Sequence, residues 1–284
     1  MNVEHSHGTL CNGKGQANEM LEDILICPKT KNRIAIDAVN SIAKVEQSDL
    51  SYPIKAGIVD LLPDTVDRIS KAYDSLASSY DDYQTLSSLR WKLFTLFAWG
   101  CLDDKGFTEK MLSSVPDYFD SVLLDVPAGT GIFTFKKYKK LKKAKIIALD
   151  YSLAMLRKAQ HLYAENGIQN VTFIRGDVGS LPLEQASVDL CLSMAGFHAF
   201  PDKTQALNEI VRVLKPDCIF SGSFYIKGKR LLTDLLVQHV LSRMGYFSPP
   251  FYDEQECRSK FGEFFNTGYA ANYRSLFYFK MSKK

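Results

Sequence analysis

The 284-residue sequence has no apolar run long enough to cross a bilayer. Its longest, LFTLFAWGCL from Leu93, falls well short of the roughly 20 residues a spanning helix needs. The first residues, MNVEHSHGTLCNGKGQANE, lack the apolar core of a secretory signal and read as a flexible tail. Charge of one sign is also scarce: a net charge of +3 is too mild to argue by itself for a nucleic-acid partner. Six cysteines (Cys11, Cys27, Cys101, Cys191, Cys218, Cys257) show no repeated spacing, and a chain of this length has no need of a disulfide framework. Reduced thiols in a cytoplasmic protein are the expectation. His5, His7 and Cys11 fall in the polar tail and are read as incidental rather than as a metal site.

What is present is enough apolar sequence for a real core, 46% of residues, with an ordinary 24% charged. Four regions follow from the patterning: a tail over 1–20, a small β-rich unit over 21–63, a helical segment over 64–112 and a main body over 113–284. In the second, DILICP, NRIAIDA and YPIKAGIVDLLP read as short extended segments. In the third, Val66, Ile69, Tyr73, Leu76, Tyr80 and Tyr83 recur at helical intervals, a lid-like helix ahead of the body.

In the body strands and helices alternate. SVLLDV, KIIALD, VTFIRGD, SVDLCLSM and CIFSGSFYI read as five strands, and runs such as KIIAL suit parallel strands covered on both faces. Between them, a Lys-rich helix runs to Lys145, a second has Ser152 as N-cap and Gly167 as its stop, and DKTQALNEIVRVLKP opens on an Asp202–Gln205 capping box and ends at Pro216. The fold class is α/β, a Rossmann-like doubly wound sheet. YAANYRS and LFYFKMSK have no helix between them, so they predict a hairpin and an antiparallel last strand. A lid insertion spans about 228–252, where Tyr246, Phe247, Phe251 and Tyr252 either line an acceptor pocket or pack the extra helix.

Ligands of such sheets bind at the carboxyl ends of the strands. Asp125, Asp150 and Asp177 end the first three strands and so face one crevice, beside the turn Pro127-Ala128-Gly129-Thr130-Gly131. Two glycines within three residues admit close backbone approach by a phosphate, a ribose or an amino acid moiety. Asp150 is placed to accept ribose hydroxyls and Asp125 to attract an ammonium. Asp177 and the Val178 N–H suit an adenine. A dinucleotide fingerprint would continue Gly-x-Gly-x-x-Gly, but Thr134 stands at the third glycine, and a carboxylate at the turn would repel a pyrophosphate. Both points favour a ligand with positive charge.

LLDVPAGTG, IIALDYSLAMLRKAQ, NVTFIRGDVGSLPLEQASVDLCLSM and ALNEIVRVLKP, in that order within 121–226, together resemble the class I S-adenosylmethionine-dependent methyltransferases, closest to the ubiquinone/menaquinone C-methyltransferase group. Pro127 and Ala128 depart from the family's usual loop, as does Asp217-Cys218 after Leu-Lys-Pro. The resemblance implies S-adenosyl-L-methionine as cofactor, no metal, and a small-molecule methyl acceptor, aromatic or apolar. It places Asp125, Ala128, Gly129 and Gly131 at the methionine part, Asp150 at the ribose, Tyr151 and Met155 against the adenosine, Asp177 and Val178 at the adenine, and Ser193 and Met194 on the floor. YDSLASSYDDY resembles the helix such enzymes lay over the cofactor, making Tyr73 and Tyr80 candidates to cover it. His198, at the mouth after the fourth strand, is the candidate general base.

ILICPKTKNRIAI with LSYPIKAGIVDLLP resembles the small zinc-ribbon-like unit ahead of some methyltransferases, here with Cys27 alone and no second ligand pair, hence without metal; it is expected to stabilise the body or shape the substrate entrance. FKKYKKLKKAK reads as the solvated face of a sheet-covering helix, with Phe135, Tyr138 and Leu141 inward. Its alternative, a basic helix for RNA, leaves rRNA or tRNA base methylation as a second reading; a catalytically inactive partner subunit is a third.

Overall fold

A computed structural model describes residues 23–62, 71, 73, 74, 108, 109, 111–266 and 268–284. The tail over 1–20, with His5, His7 and Cys11, lies outside these residues, as do Tyr80 and most of the predicted helical segment. The described strands are β1 (Ile34–Asp37), β2 (Ile42–Val45), β3 (Ser51–Lys55), β4 (Ile58–Asp60), β5 (Val122–Asp125), β6 (Lys145–Asp150), β7 (Val171–Arg175), β8 (Val188–Met194), β9 (Leu214–Tyr225), β10 (Tyr269–Tyr273) and β11 (Leu276–Ser282). The α-helices are α1 (Phe135–Tyr138), α2 (Leu153–Glu165), α3 (Lys203–Val213), α4 (Leu231–Leu236) and α5 (Glu254–Phe264).

All the strands join one sheet in the order β1-β2-β3-β4-β7-β6-β5-β8-β9-β11-β10. From β4 to β9 every neighbouring pair is parallel. β11 enters antiparallel to β9 and pairs with β10 as a hairpin, as the missing helix between them predicts. After β1–β4 the chain re-enters the sheet at central β5, builds outward through β6 to β7, which packs beside β4, then crosses back to β8. That reversal opens a crevice at the strand carboxyl ends.

Side-chain alternation along the buried strands explains the layers. Leu123, Ile146, Ala148, Leu190 and Leu192 face Leu156, Ala159 and Tyr163 of α2. Their neighbours Leu124, Ile147, Leu149 and Cys191 face Ile210 and Val213 of α3 and Phe261 of α5. The same second core takes in Leu25, Ile34, Tyr52 and Val59, so the small β-rich unit shares both sheet and core with the body.

Several local expectations shift. The Lys-rich helix closes after four residues, though Tyr138 and Leu141 are buried as predicted and the lysines between them stay largely solvated. α3 stops at Val213 because Leu214-Lys215-Pro216 already belongs to β9, where extended backbone suits the residue before a proline. Asp202 does accept from the Gln205 N–H at 2.9 Å, but the Gln205 side chain donates to the Gly179 carbonyl instead of closing a capping box. A full box occurs at Asp253 and Glu256, opening α5. The 231–245 segment leaves Leu231, Leu232 and Met244 exposed, and it widens into a π-helical turn at Val237–Leu241.

Phe261 pins α5 to the sheet. Its ring lies 5.0 Å from that of Phe279 and 5.4 Å from that of Phe197, in edge geometry to both. Phe261→Ala should cost about 3–5 kcal/mol of unfolding free energy. Urea titration followed by circular dichroism measures it, and a loss under about 1 kcal/mol would show that α5 is not anchored there.

Candidate functional site

β5 and β6 end in acids whose partners explain why the chain turns where it does. Asp150 is buried, and its carboxylate accepts the Gly129 N–H at 2.8 Å and the Ser152 N–H at 2.9 Å. The Ala128 N–H is held by the Leu149 carbonyl at 2.9 Å. The glycine turn after β5 is therefore laced to the end of β6. Gly129 and Gly131 both have left-handed backbone, φ +55° and +72°. A Cβ on Gly129 would project into open space, whereas one on Gly131 would strike the Tyr163 ring at 2.5 Å. The first glycine thus leaves room for a ligand and the second makes room for the protein's own tyrosine.

Beneath this turn lies a buried polar cluster that sequence reading did not assemble. Tyr138 donates its hydroxyl to Asp125 at 2.8 Å, and the Tyr163 and Thr134 hydroxyls share a 2.8 Å bond. Periodicity points both tyrosines inward, but only the fold shows that they meet at 5.9 Å under the loop. Burial, with a contribution from Asp150, pushes the Asp125 carboxyl up to about 7. Burial likewise raises Asp150 to about 6, opposed by its backbone donors and reinforced by Asp74. Asp74 itself accepts from the Ser152 hydroxyl at 2.6 Å, a role its place in YDSLASSYDDY did not reveal.

The turn opens onto a cavity of about 470 Å³. Of the predicted site residues, Tyr73, Asp125, Ala128, Gly129, Gly131, Asp150, Tyr151, Met155, Asp177, Val178 and Met194 line it. Its lining also includes the apolar residues Ile132, Phe133, Ala199, Phe200 and Pro201. Asp177 is exposed, and one of its oxygens accepts the Gly179 N–H at 2.8 Å, so it also caps its own turn. Tyr73 donates to the Tyr246 carbonyl at 2.9 Å and ties the first helical segment to the 246–251 stretch.

Two expectations fare differently. Ser193 is not among the lining residues; its hydroxyl is buried with no hydrogen-bond partner among the described residues. His198 is buried off the cavity, stacked 4.1 Å from Phe247, with Nδ1 3.4 Å from the Tyr225 N–H. Burial and the nearby Lys203 ammonium depress its imidazole to about 3. No residue of the 23–62 unit lines the cavity either, so that unit does not shape the entrance directly. The zinc-ribbon likeness finds no support: among the described residues no three metal-binding side chains cluster, and the Cys27 thiol sits 3.4 Å from the Tyr52 hydroxyl.

The residues present fit a cationic adenosyl ligand. Gly129 leaves a cradle that a Cβ would fill, and two buried carboxylates form no ion pair among the described residues. Because both folded pKa values lie above the unfolded value, the folded state holds extra protons between about pH 4 and pH 7, and that part of the ligand-free stability falls as pH rises through this window. Asp125→Asn is therefore expected to stabilise the ligand-free protein more at pH 8 than at pH 5, measured by urea unfolding at both; an equal effect would mean that the acid is not forced to share its charge.

The sequence matches the methyltransferase domain family over residues 123–217. It is 33% identical over 149 residues to a demethylmenaquinone methyltransferase of Chlamydia caviae, covering 52% of this chain and 57% of that protein. It is 31% identical over 156 residues to a ubiquinone/menaquinone biosynthesis C-methyltransferase of Hahella chejuensis, covering 52% and 55%. The chain thus spans about half the length of the curated relatives it matches. A SAM-dependent methyltransferase from Aquifex aeolicus shares the fold with a TM-score of 0.53 at 20% identity, over 74% of this chain and 98% of that one. Another from Thermotoga maritima does so with a TM-score of 0.55 at 16% identity, over 76% and 100%. Residues 123–217 thus match a methyltransferase domain family, and the chain has the fold of solved S-adenosylmethionine-dependent methyltransferases.

Proposed function

We propose that this chain is an S-adenosylmethionine-dependent methyltransferase acting on a small aromatic or apolar molecule. The observation that carries the reading is the pair of buried carboxylates, Asp125 and Asp150, lining one cavity with the open glycine turn. When bound, the cofactor supplies a methyl group made electrophilic by its sulfonium sulfur. Asp150 retains lone pairs beyond its two backbone bonds to accept ribose hydroxyls. Tyr151, Met155 and Val178 offer the faces for an adenosine, with Asp177 at its edge. Asp125, steadied by Tyr138, faces the positive end, and the bare backbone at Gly129 admits the amino acid tail, while Gly131 lets the turn sit on Tyr163. Tyr73, which also lines the cavity, would cover the bound cofactor.

The apolar lining residues of the cavity support an acceptor excluded from water, and desolvation there favours transfer between positioned groups. The names of the quinone-methylating relatives point to a quinol-type ring as the first acceptor to try. His198 is left out of the chemistry: its buried, stacked imidazole supports a packing role, so His198→Ala should alter stability more than cofactor affinity. The burial of Tyr138 and Leu141 supports reading the lysine run as the solvated face of a sheet-covering segment.

S-adenosylhomocysteine at about 100 times its dissociation constant should raise unfolding free energy by about 2.7 kcal/mol. Asp150→Asn should abolish most of that shift. Methyl transfer from labelled cofactor to a soluble quinol analogue tests the acceptor. No shift with wild-type protein would contradict the reading and favour a non-catalytic role.

A further inference from the structure

The cavity's wall is anchored from outside the methyltransferase domain. β4 lies beside β7, with Asp60 opposite Arg175, and the Leu61 N–H continues the ladder to the Arg175 carbonyl at 3.0 Å. The Arg175 side chain, 7% exposed, then reaches two ways. Its Nη1 donates to the Asp60 carboxylate at 3.2 Å and to the Leu62 carbonyl at 2.7 Å. Its Nε donates to the Tyr151 carbonyl at 3.2 Å. Asp60 is fully buried and takes a second bond, 2.7 Å long, from Lys55.

Tyr151 belongs to the turn after β6. Immediately before it stands Asp150, and immediately after it Ser152, whose N–H donates to that same carboxylate. One guanidinium therefore links a carboxylate in the small β-rich unit to the peptide between the acid and its backbone donor. Arg175 does not itself line the cavity, so any influence on a ligand passes through the turn.

We infer that Arg175 is a positioning residue for the adenosine end of the site and that Asp60 anchors it, so that the β-rich unit is a working part of cofactor binding. The inference rests on the proposed cofactor reading. Physically, a planar fork held at one end by a buried carboxylate and two backbone contacts has little freedom left, and it fixes the Tyr151 carbonyl accordingly. A loose turn would let the Asp150 oxygens wander from where ribose hydroxyls are met, and small displacements of such groups cost much binding.

The test compares full-length Arg175→Met, Arg175→Lys and Lys55→Met with wild type. Arg175→Met should raise both the dissociation constant of S-adenosylhomocysteine and the KM for S-adenosylmethionine about tenfold or more while kcat changes little. Arg175→Lys should recover part of the affinity, and Lys55→Met, which touches Asp60 from its solvent side, should leave affinity at the wild-type value. Since a lone buried carboxylate strongly destabilises, the double variant Arg175→Met with Asp60→Asn is measured in parallel and should show the same loss of affinity. Hydrogen exchange of the ligand-free proteins gives a readout independent of the cofactor reading. The Gly129 and Ser152 amides should exchange faster in the Arg175→Met and double variants, while the Phe279 amide in β11 keeps its wild-type rate. Wild-type affinity in a folded Arg175→Met or double variant overturns the inference, as do unchanged Gly129 and Ser152 exchange rates. If wild type binds no S-adenosylhomocysteine, the functional reading fails, and the exchange rates alone decide whether Arg175 holds the turn.

Discussion

Two carboxylates buried side by side, with no ion pair to neutralise either among the described residues, are the constraint around which this site is organised. A buried charge is costly unless it is hydrogen-bonded, paired or protonated, and here the ligand-free protein uses the first and last of these. Tyr138 and backbone N–H groups satisfy part of the demand, and the remainder appears as carboxyl groups pushed well above their ordinary range. A ligand bearing positive charge and hydroxyl donors relieves both sources of cost at once. The parallel sheet makes the juxtaposition possible, because it delivers the ends of β5 and β6 to the same edge in register, Asp125 beside Ala148 and Asp150 two residues beyond.

Much of this was legible in the residues. An acid closing each of three apolar runs, with two glycines after the first, is a local signal that needs only strand direction to become a crevice. Helix caps at Ser152 and Asp202 and the stop at Gly167 were equally local. What escaped were pairings between distant segments. Tyr138 and Tyr163 look like any inward aromatic until the fold places them under the glycine turn, and Asp60 lies 115 residues from Arg175. His198 misled for the same reason: a loop histidine after a strand end has no signature telling whether it turns toward the crevice or, as here, away into a slot against Phe247.

The small β-rich unit changes meaning in the structure. Its sequence suggests a zinc-ribbon-like unit without metal that stabilises the body or shapes the entrance, and its last strand extends the central sheet while its apolar residues complete the core on one face. A sheet widened in this way has no bare edge at β7, which protects the strand leading into the cavity-lining Gly176, Asp177 and Val178. The unit contributes through support rather than through contact.

Isothermal titration of S-adenosylmethionine at pH 6.5, repeated in two buffers of different ionisation enthalpy, measures directly whether the ligand meets strained carboxyl groups. The account predicts that binding releases protons, because a cation at Asp125 and hydroxyl donors at Asp150 drive both groups toward ionisation. Saturable binding with no proton release, or with proton uptake, would contradict it.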